Sequence, residues 1–142
     1  MFHRSLADEL LARAREYPVI TLTEPRQAGK TTLARAIFKK KPYLNLEQPD
    51  TRRFAESDPN AFLAQIPDGG VIDEVQHCPH LLSYIQVIVD ETPGNGRFVL
   101  AGSHQLMLHQ SISQSLAGRT ALLTLVAIII NRNRATADKS RC

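Results

Sequence analysis

Val19-Ile20-Thr21-Leu22-Thr23-Glu24-Pro25-Arg26-Gln27-Ala28-Gly29-Lys30-Thr31-Thr32-Leu33-Ala34 changes period twice. Val19 to Thr23 is a continuous β-branched and apolar run, which suits a central parallel strand covered on both faces. From Gly29 the pattern turns helical, with Leu33 and Ile37, and Ala34 and Phe38, at i,i+4 spacing. Between them lies the latter part of a Gly-x-x-x-x-Gly-Lys-Ser/Thr phosphate loop, with Gly29-Lys30-Thr31 matching its last three positions. Amides at a helix N-terminus offer unpaired N–H groups to phosphate oxygens, helped by the helix dipole. In such a loop Arg26, Gln27, Ala28, Gly29, Lys30, Thr31 and Thr32 surround the phosphates. Lys30 would reach the β- and γ-phosphates of ATP, and the Thr31 hydroxyl would ligate Mg²⁺. Glu24 occupies the position where the pattern has its first glycine. It brings a Cβ and a negative charge towards a polyanion.

Outward from this stretch, strand patterns alternate with helical ones. Ser5-Leu6-Ala7-Asp8-Glu9 reads as a helix start capped by Ser5, with Leu6, Leu10, Leu11 and Ala14 on one face until Pro18 ends it. Pro42 to Leu46 reads as a second strand. Residues 50–66 read as two short helices broken at Asp58-Pro59, burying Phe54, Phe62, Leu63 and Ile66. Val71-Ile72-Asp73-Glu74 is a third strand ending in two carboxylates, and Pro79 opens a helix with Leu81, Ile85 and Ile88 on one face. Phe98 to Ala101 forms a fourth strand running into Gly102-Ser103. A helix through Leu106 and Ile112 stops at Gly118, and Thr120 to Leu125 is a fifth strand. This alternation predicts an α/β fold with a mostly parallel, doubly wound sheet.

The loop, Asp73-Glu74 and Gly102-Ser103-His104 each stand at the carboxyl end of a strand, where open α/β sheets bind ligands. Asp73 would hold Mg²⁺ and Glu74 would take a proton from the attacking water; alternatively the two are solvated acids closing a strand. Ser103 or His104 would sense a γ-phosphate; alternatively Ser103 caps a helix and His104 is a surface imidazole. Arg119 follows Gly118 and is either an arginine finger reaching a neighbouring subunit's phosphate or a strand-flanking surface arginine. His77, His80 and His109 have no partners at metal spacing.

Composition narrows the partners. The 142 residues are 43% hydrophobic and 22% charged, enough for one domain with a real core. Of the 17 basic and 14 acidic residues, Arg132, Arg134, Lys139, Arg141 and Asp138 lie at the C-terminal end, leaving 13 of each in residues 1–130. The net charge of +3 therefore belongs to the tail, and the neutral body carries no footprint for nucleic acid. Cys78 and Cys142 lack metal spacing and read as unpaired thiols, Cys78 half-buried. The longest apolar run, Ala121 to Ile130, is ten residues where a membrane span needs about 20. With no secretory pattern at the start, a cytoplasmic location is expected.

Longer strings carry a resemblance. Tyr17 to Thr23, Pro25 to Arg35, Pro42-Tyr43-Leu44-Asn45-Leu46-Glu47, Ile72 to Gln76, Leu100 to Ser103 and Ser113 to Arg119 resemble the prokaryotic AAA-type ATPases whose loop reads Gly-Pro-Arg-Gln-(Ser/Ala)-Gly-Lys-Thr-Thr. The similarity runs from about residue 5 to 125. It implies a three-layer P-loop core over residues 18–126, preceded by an N-terminal helix over 1–17, with a five-stranded sheet ordered 5-1-4-3-2. It also implies ATP and Mg²⁺ as ligands, ATP hydrolysis as the activity, and a homo-oligomer or a protein client as partner. The chain departs from the family at Glu24, at His104, where Gln or Asn is common, and after Leu125, where a Leu-Pro-Phe-Ser-like continuation is missing. Residues 127–142 read as an atypical basic tail, with 131–142 expected to be disordered, as in a chain truncated before the family's C-terminal domain. Three functions follow for testing: an Mg²⁺-dependent ATPase, a remnant that binds nucleotide weakly because of Glu24, and, on net charge alone, a nucleic-acid module.

Overall fold

A computed structural model describes residues 2–24, 30–103 and 106–124. Its elements run α1 (Phe2–Glu16), β1 (Val19–Glu24), α2 (Lys30–Ile37), β2 (Tyr43–Asn45), α3 (Pro49–Ser57), α4 (Pro59–Ala64), β3 (Gly70–Asp73), a 3-10 turn (Val75–His77), α5 (Leu81–Glu91), β4 (Phe98–Ser103), α6 (Leu106–Leu116) and β5 (Thr120–Thr124). The five strands form one sheet in the order β2-β3-β4-β1-β5, and every pairing is parallel. This is the expected order 5-1-4-3-2, met from the other edge.

Side chains alternate across the strands, so each strand feeds two cores. Val19, Ile72, Phe98 and Leu100 face one layer with Leu46, Phe62, Leu81, Ile85 and Ile112. Ile20, Leu22, Val71 and Val99 face the other with Leu10 and Ala34, where Ala14, Ile37 and Phe38 also pack. Helices α1 and α2 thus cover one face, and α4, α5 and α6 cover the other. Residues apolar on both faces are what a central parallel strand needs, and β1 has Val19 to Thr23 fully buried. The Thr21 hydroxyl within it meets that of Thr120 at 2.9 Å, so a polar group in the sheet is satisfied without water.

Several local expectations are corrected. Helix α1 spans Phe2–Glu16, so position 5 lies inside the helix and not at its N-cap; no proline or glycine ahead of Ser5 stops the helix there. Phe54 is 38% exposed, because α3 sits over the short edge strand and buries only Ala55. Its ring still meets Phe62 edge-on at 5.6 Å. Helix α5 opens at Leu81, not at Pro79; Cys78 to His80 form a turn whose carbonyls take the N–H groups of Leu81 to Ser83. The break at Asp58-Pro59 stands, with Pro59 opening α4 and the Asp58 carboxylate accepting from the Ala61 N–H at 3.1 Å. Cys78 is a free thiol buried to 2% exposure, and burial pushes its pKa up, as for an inert core thiol. Residues 127–142, including Cys142, lie outside the described residues.

Candidate functional site

Because β3, β4 and β1 are adjacent and parallel, their carboxyl ends meet at one edge of the sheet. Asp73 ends β3, Ser103 ends β4 in register with Glu24 at the end of β1, and α2 opens on Lys30-Thr31-Thr32. Arg26, Gln27, Ala28, Gly29 and His104 lie outside the described residues. Glu24 continues the strand in extended pairing, so its position does not demand a glycine's φ. What distinguishes Glu24 from a glycine there is its charge.

The two acids are not solvated. Asp73 is 3% and Glu74 4% exposed. Stripping water from a carboxylate costs several kcal/mol unless donors or cations replace it. For Asp73 the donors include the Glu74 N–H on Oδ1 at 2.8 Å and the Tyr43 hydroxyl on Oδ2 at 2.6 Å. Glu74 sits in the left-handed region, with φ 56° and ψ 44°, and is the single non-glycine residue with positive φ among those described. A glutamate held there stores about 1–3 kcal/mol, and such outliers cluster at functional sites. Its Oε1 accepts from Gln76 Nε2 at 2.7 Å. Gln76 in turn packs over Gly102, where an added Cβ would lie 2.7 Å from its Oε1. A side chain at position 102 would push against the residue that holds Glu74.

Other neighbours were invisible to spacing arguments. Glu47, just after β2, and His77, in the 3-10 turn, join Glu74 in a group whose carboxylate and imidazole atoms lie within 4.8 Å of one another. His77 Nε2 is 3.9 Å from Glu47 Oε2. The Arg35 guanidinium of α2 lies 4.6 Å from the centre of the Tyr43 ring. Local sequence signals none of these pairs, because they join separate elements of the fold.

Arg119 stands apart. It precedes β5, its carbonyl accepts the Val19 N–H, and so it lies at the amino ends of the strands. That is about 16 Å along β1 from Glu24 at 3.3 Å per residue. Its guanidinium grips Asp90 of α5 through two bonds of 2.7 and 3.0 Å. The pair holds the Asp90 carboxyl below its ordinary range.

Comparison with known proteins agrees with this architecture. Uncharacterized proteins Mb2031c of Mycobacterium bovis and Rv2008c of Mycobacterium tuberculosis are each 38% identical over 130 residues, covering 89% of this chain. The chain spans only 29% of the length of these relatives. Among solved structures, the ORC2 protein of Aeropyrum pernix in its ADP form superposes with a TM-score of 0.51 at 15% identity, over 94% of this chain and 51% of that one. That likeness is one of fold. The family model described as AAA domain matches residues 16–131. By that match, over most of its length, the chain belongs to the AAA domain family and is a P-loop nucleotide-binding, ATPase-like domain.

Proposed function

We propose that this chain binds ATP with Mg²⁺ at the carboxyl ends of β1, β3 and β4 and hydrolyses it to ADP and phosphate. The observation that carries the reading is the pair Asp73 and Glu74, carboxylates 3% and 4% exposed at the end of a central strand, in a sheet whose α2 opens on Lys30-Thr31. Oxygen donors of this kind suit a hard divalent cation, and the donor set therefore fits Mg²⁺. Family membership and the ADP form of the Aeropyrum pernix ORC2 protein support a nucleotide as the ligand.

In this reading the amides of residues 26–32 donate to phosphate oxygens and Lys30 neutralises the β- and γ-phosphates. Thr31 and Asp73 hold Mg²⁺, which when bound offsets the charge that builds on the bridging oxygen. Gln76 fixes one oxygen of Glu74, so the carboxylate is aimed before substrate arrives. Glu74 accepts a proton from water as the water oxygen attacks the γ-phosphorus. The bond from that phosphorus to the β–γ bridging oxygen breaks, and its electron pair leaves on ADP. Ser103 takes the γ-phosphate contact. Arg119 serves a neighbouring copy's phosphate if assembly opens its pair with Asp90. A cytoplasmic setting and a protein client belong to the same proposal.

A second reading, a weakly binding remnant, is favoured by Glu24 alone. Thermal shift with Mg²⁺-ATP separates the two. Ligand at a hundred times its Kd stabilises a protein by about 2.7 kcal/mol, and we expect that shift to vanish in Lys30→Ala. Glu24→Gln should bind more tightly than the parent and as tightly as Glu24→Gly, since charge rather than backbone geometry is the obstacle. Absence of any shift in the parent and in both Glu24 variants would remove nucleotide binding from the chain. A shift without phosphate release in all three would leave the remnant reading standing.

A further inference from the structure

Tyr43 and Asp73 are 30 residues apart in sequence and 2.6 Å apart at their oxygens. In the sheet Tyr43 pairs with Val71, while Asn45 pairs with Asp73. The phenol therefore leans two residues along the strand direction, about 6–7 Å, to reach the carboxylate. Phenylalanine would fill the same space without a donor, and serine or threonine would fall short. Oδ2 is held by this hydroxyl and Oδ1 by the Glu74 N–H, so rotation of the carboxylate breaks both bonds. Over the ring lies Arg35, with Cζ 4.6 Å from its centre. A cation there pins the ring and draws electron density from it, which strengthens the O–H as a donor. Among the described residues no carboxylate pairs with Arg35, and its guanidinium stacks on this ring. Arg35 belongs to α2, the helix that opens on Lys30-Thr31. One line of contacts thus joins the helix behind the phosphate loop to the strand end that carries Asp73.

We propose that Tyr43 is the positioning residue of Asp73, presenting its carboxylate to a divalent cation, and that Arg35 acts through the Tyr43 ring. The inference rests on the reading of Asp73 as a cation ligand. The test uses Mn²⁺ as the probe, its affinity for the ADP-bound full chain read by electron paramagnetic resonance, beside ADP affinity in chelator. Tyr43→Phe should weaken Mn²⁺ about ten- to a hundredfold, the worth of one charge-assisted hydrogen bond, and leave ADP affinity in chelator unchanged. Arg35→Ala should weaken Mn²⁺ about two- to threefold, Arg35→Lys less. Arg35→Ala with Tyr43→Phe should bind Mn²⁺ as Tyr43→Phe does alone, because the arginine acts through the hydroxyl. Asp73→Asn is the reference that loses Mn²⁺. If Asp73→Asn binds Mn²⁺ and Tyr43→Phe does not differ from the parent, the reading of Asp73 fails and this proposal with it. If Asp73→Asn loses Mn²⁺ but Tyr43→Phe keeps it, the positioning role alone is overturned. Equal losses of ADP in chelator and of Mn²⁺ would mark Tyr43 as a packing residue, and additive losses in the double variant would separate Arg35 from it.

Discussion

The two ends of the sheet handle polar groups in opposite ways. At the amino ends, cations and N–H groups close on backbone carbonyls. Arg97 donates to Thr92 and Pro67 oxygens at 3.0 and 3.1 Å, and Lys41 Nζ reaches the Arg97 carbonyl at 3.2 Å. The N–H groups of Gly96, Arg97 and Phe98 bond to the carbonyls of Tyr17 and Pro18. At the carboxyl ends the buried groups are the carboxylates of Asp73 and Glu74, fixed by Tyr43, Gln76 and a left-handed backbone. Donors closed on local acceptors stabilise the fold. Two carboxylates oriented in this way are what a cation and a water molecule can use. A sheet whose ligand edge is its carboxyl edge has its binding end and its sealing end on opposite sides.

Substitutions at each end should therefore separate function from stability. The largest effect is expected at Glu74→Asn. Loss of the base should lower ATP turnover about 10²- to 10⁴-fold. The same variant should melt no lower than the parent, because asparagine tolerates the left-handed region and removes a buried charge, worth about 1 kcal/mol together. Single-turnover phosphate release and urea unfolding read the two quantities. A destabilised Glu74→Asn would show that the strain is imaginary or offset by the Gln76 bond.

At the sealing end Gly69→Ala should do the reverse. Gly69 has φ +96°, and an added Cβ would stand 1.8 Å from the Arg97 carbonyl oxygen, a backbone atom. The strand connections would have to move, costing about 3 kcal/mol or more, with nucleotide affinity of the folded fraction unchanged. Loss of affinity at parent-like stability would erase the distinction between the two ends.

The smallest effect is expected at Asp90→Asn. Asp90 is exposed, and its carboxyl is held low first by the bonds from Arg119. A folded-state pKa below the unfolded one means that the pair stabilises above the ordinary carboxylate range. That contribution fades as pH falls through the lowered value. The melting difference between parent and Asp90→Asn should accordingly be small at pH 7, shrink with added salt, and disappear in acid. A difference that persists in acid would mean that Asp90 acts by packing.

Much of the fold was legible in local pattern. Apolar runs at β1, β3 and β4 and the helical spacings of α2 and α5 required a covered parallel sheet, since each residue's face follows from periods of 2 and 3.6. The strand order came from resemblance, because periodicity says nothing about which strands are neighbours. Capping and burial at the margins were less legible. Ser5 lies within α1 and Phe54 at the surface, since one residue's preference is overruled by what its element packs against.

For the site, sequence by itself determined that a helix opens at the Gly-Lys-Thr motif and that two carboxylates follow a strand, because strand ends and helix starts are set within a few residues. Tertiary structure alone decided that those carboxylates are buried, that Tyr43 and Gln76 orient them, that Glu47 and His77 stand beside Glu74, and that Arg119 grips Asp90. Those pairs owe their meeting to crossovers that bring β2, β3 and β4 side by side. Hydrogen bonds of under 3 Å are decided by that packing, and no local pattern of residues encodes it.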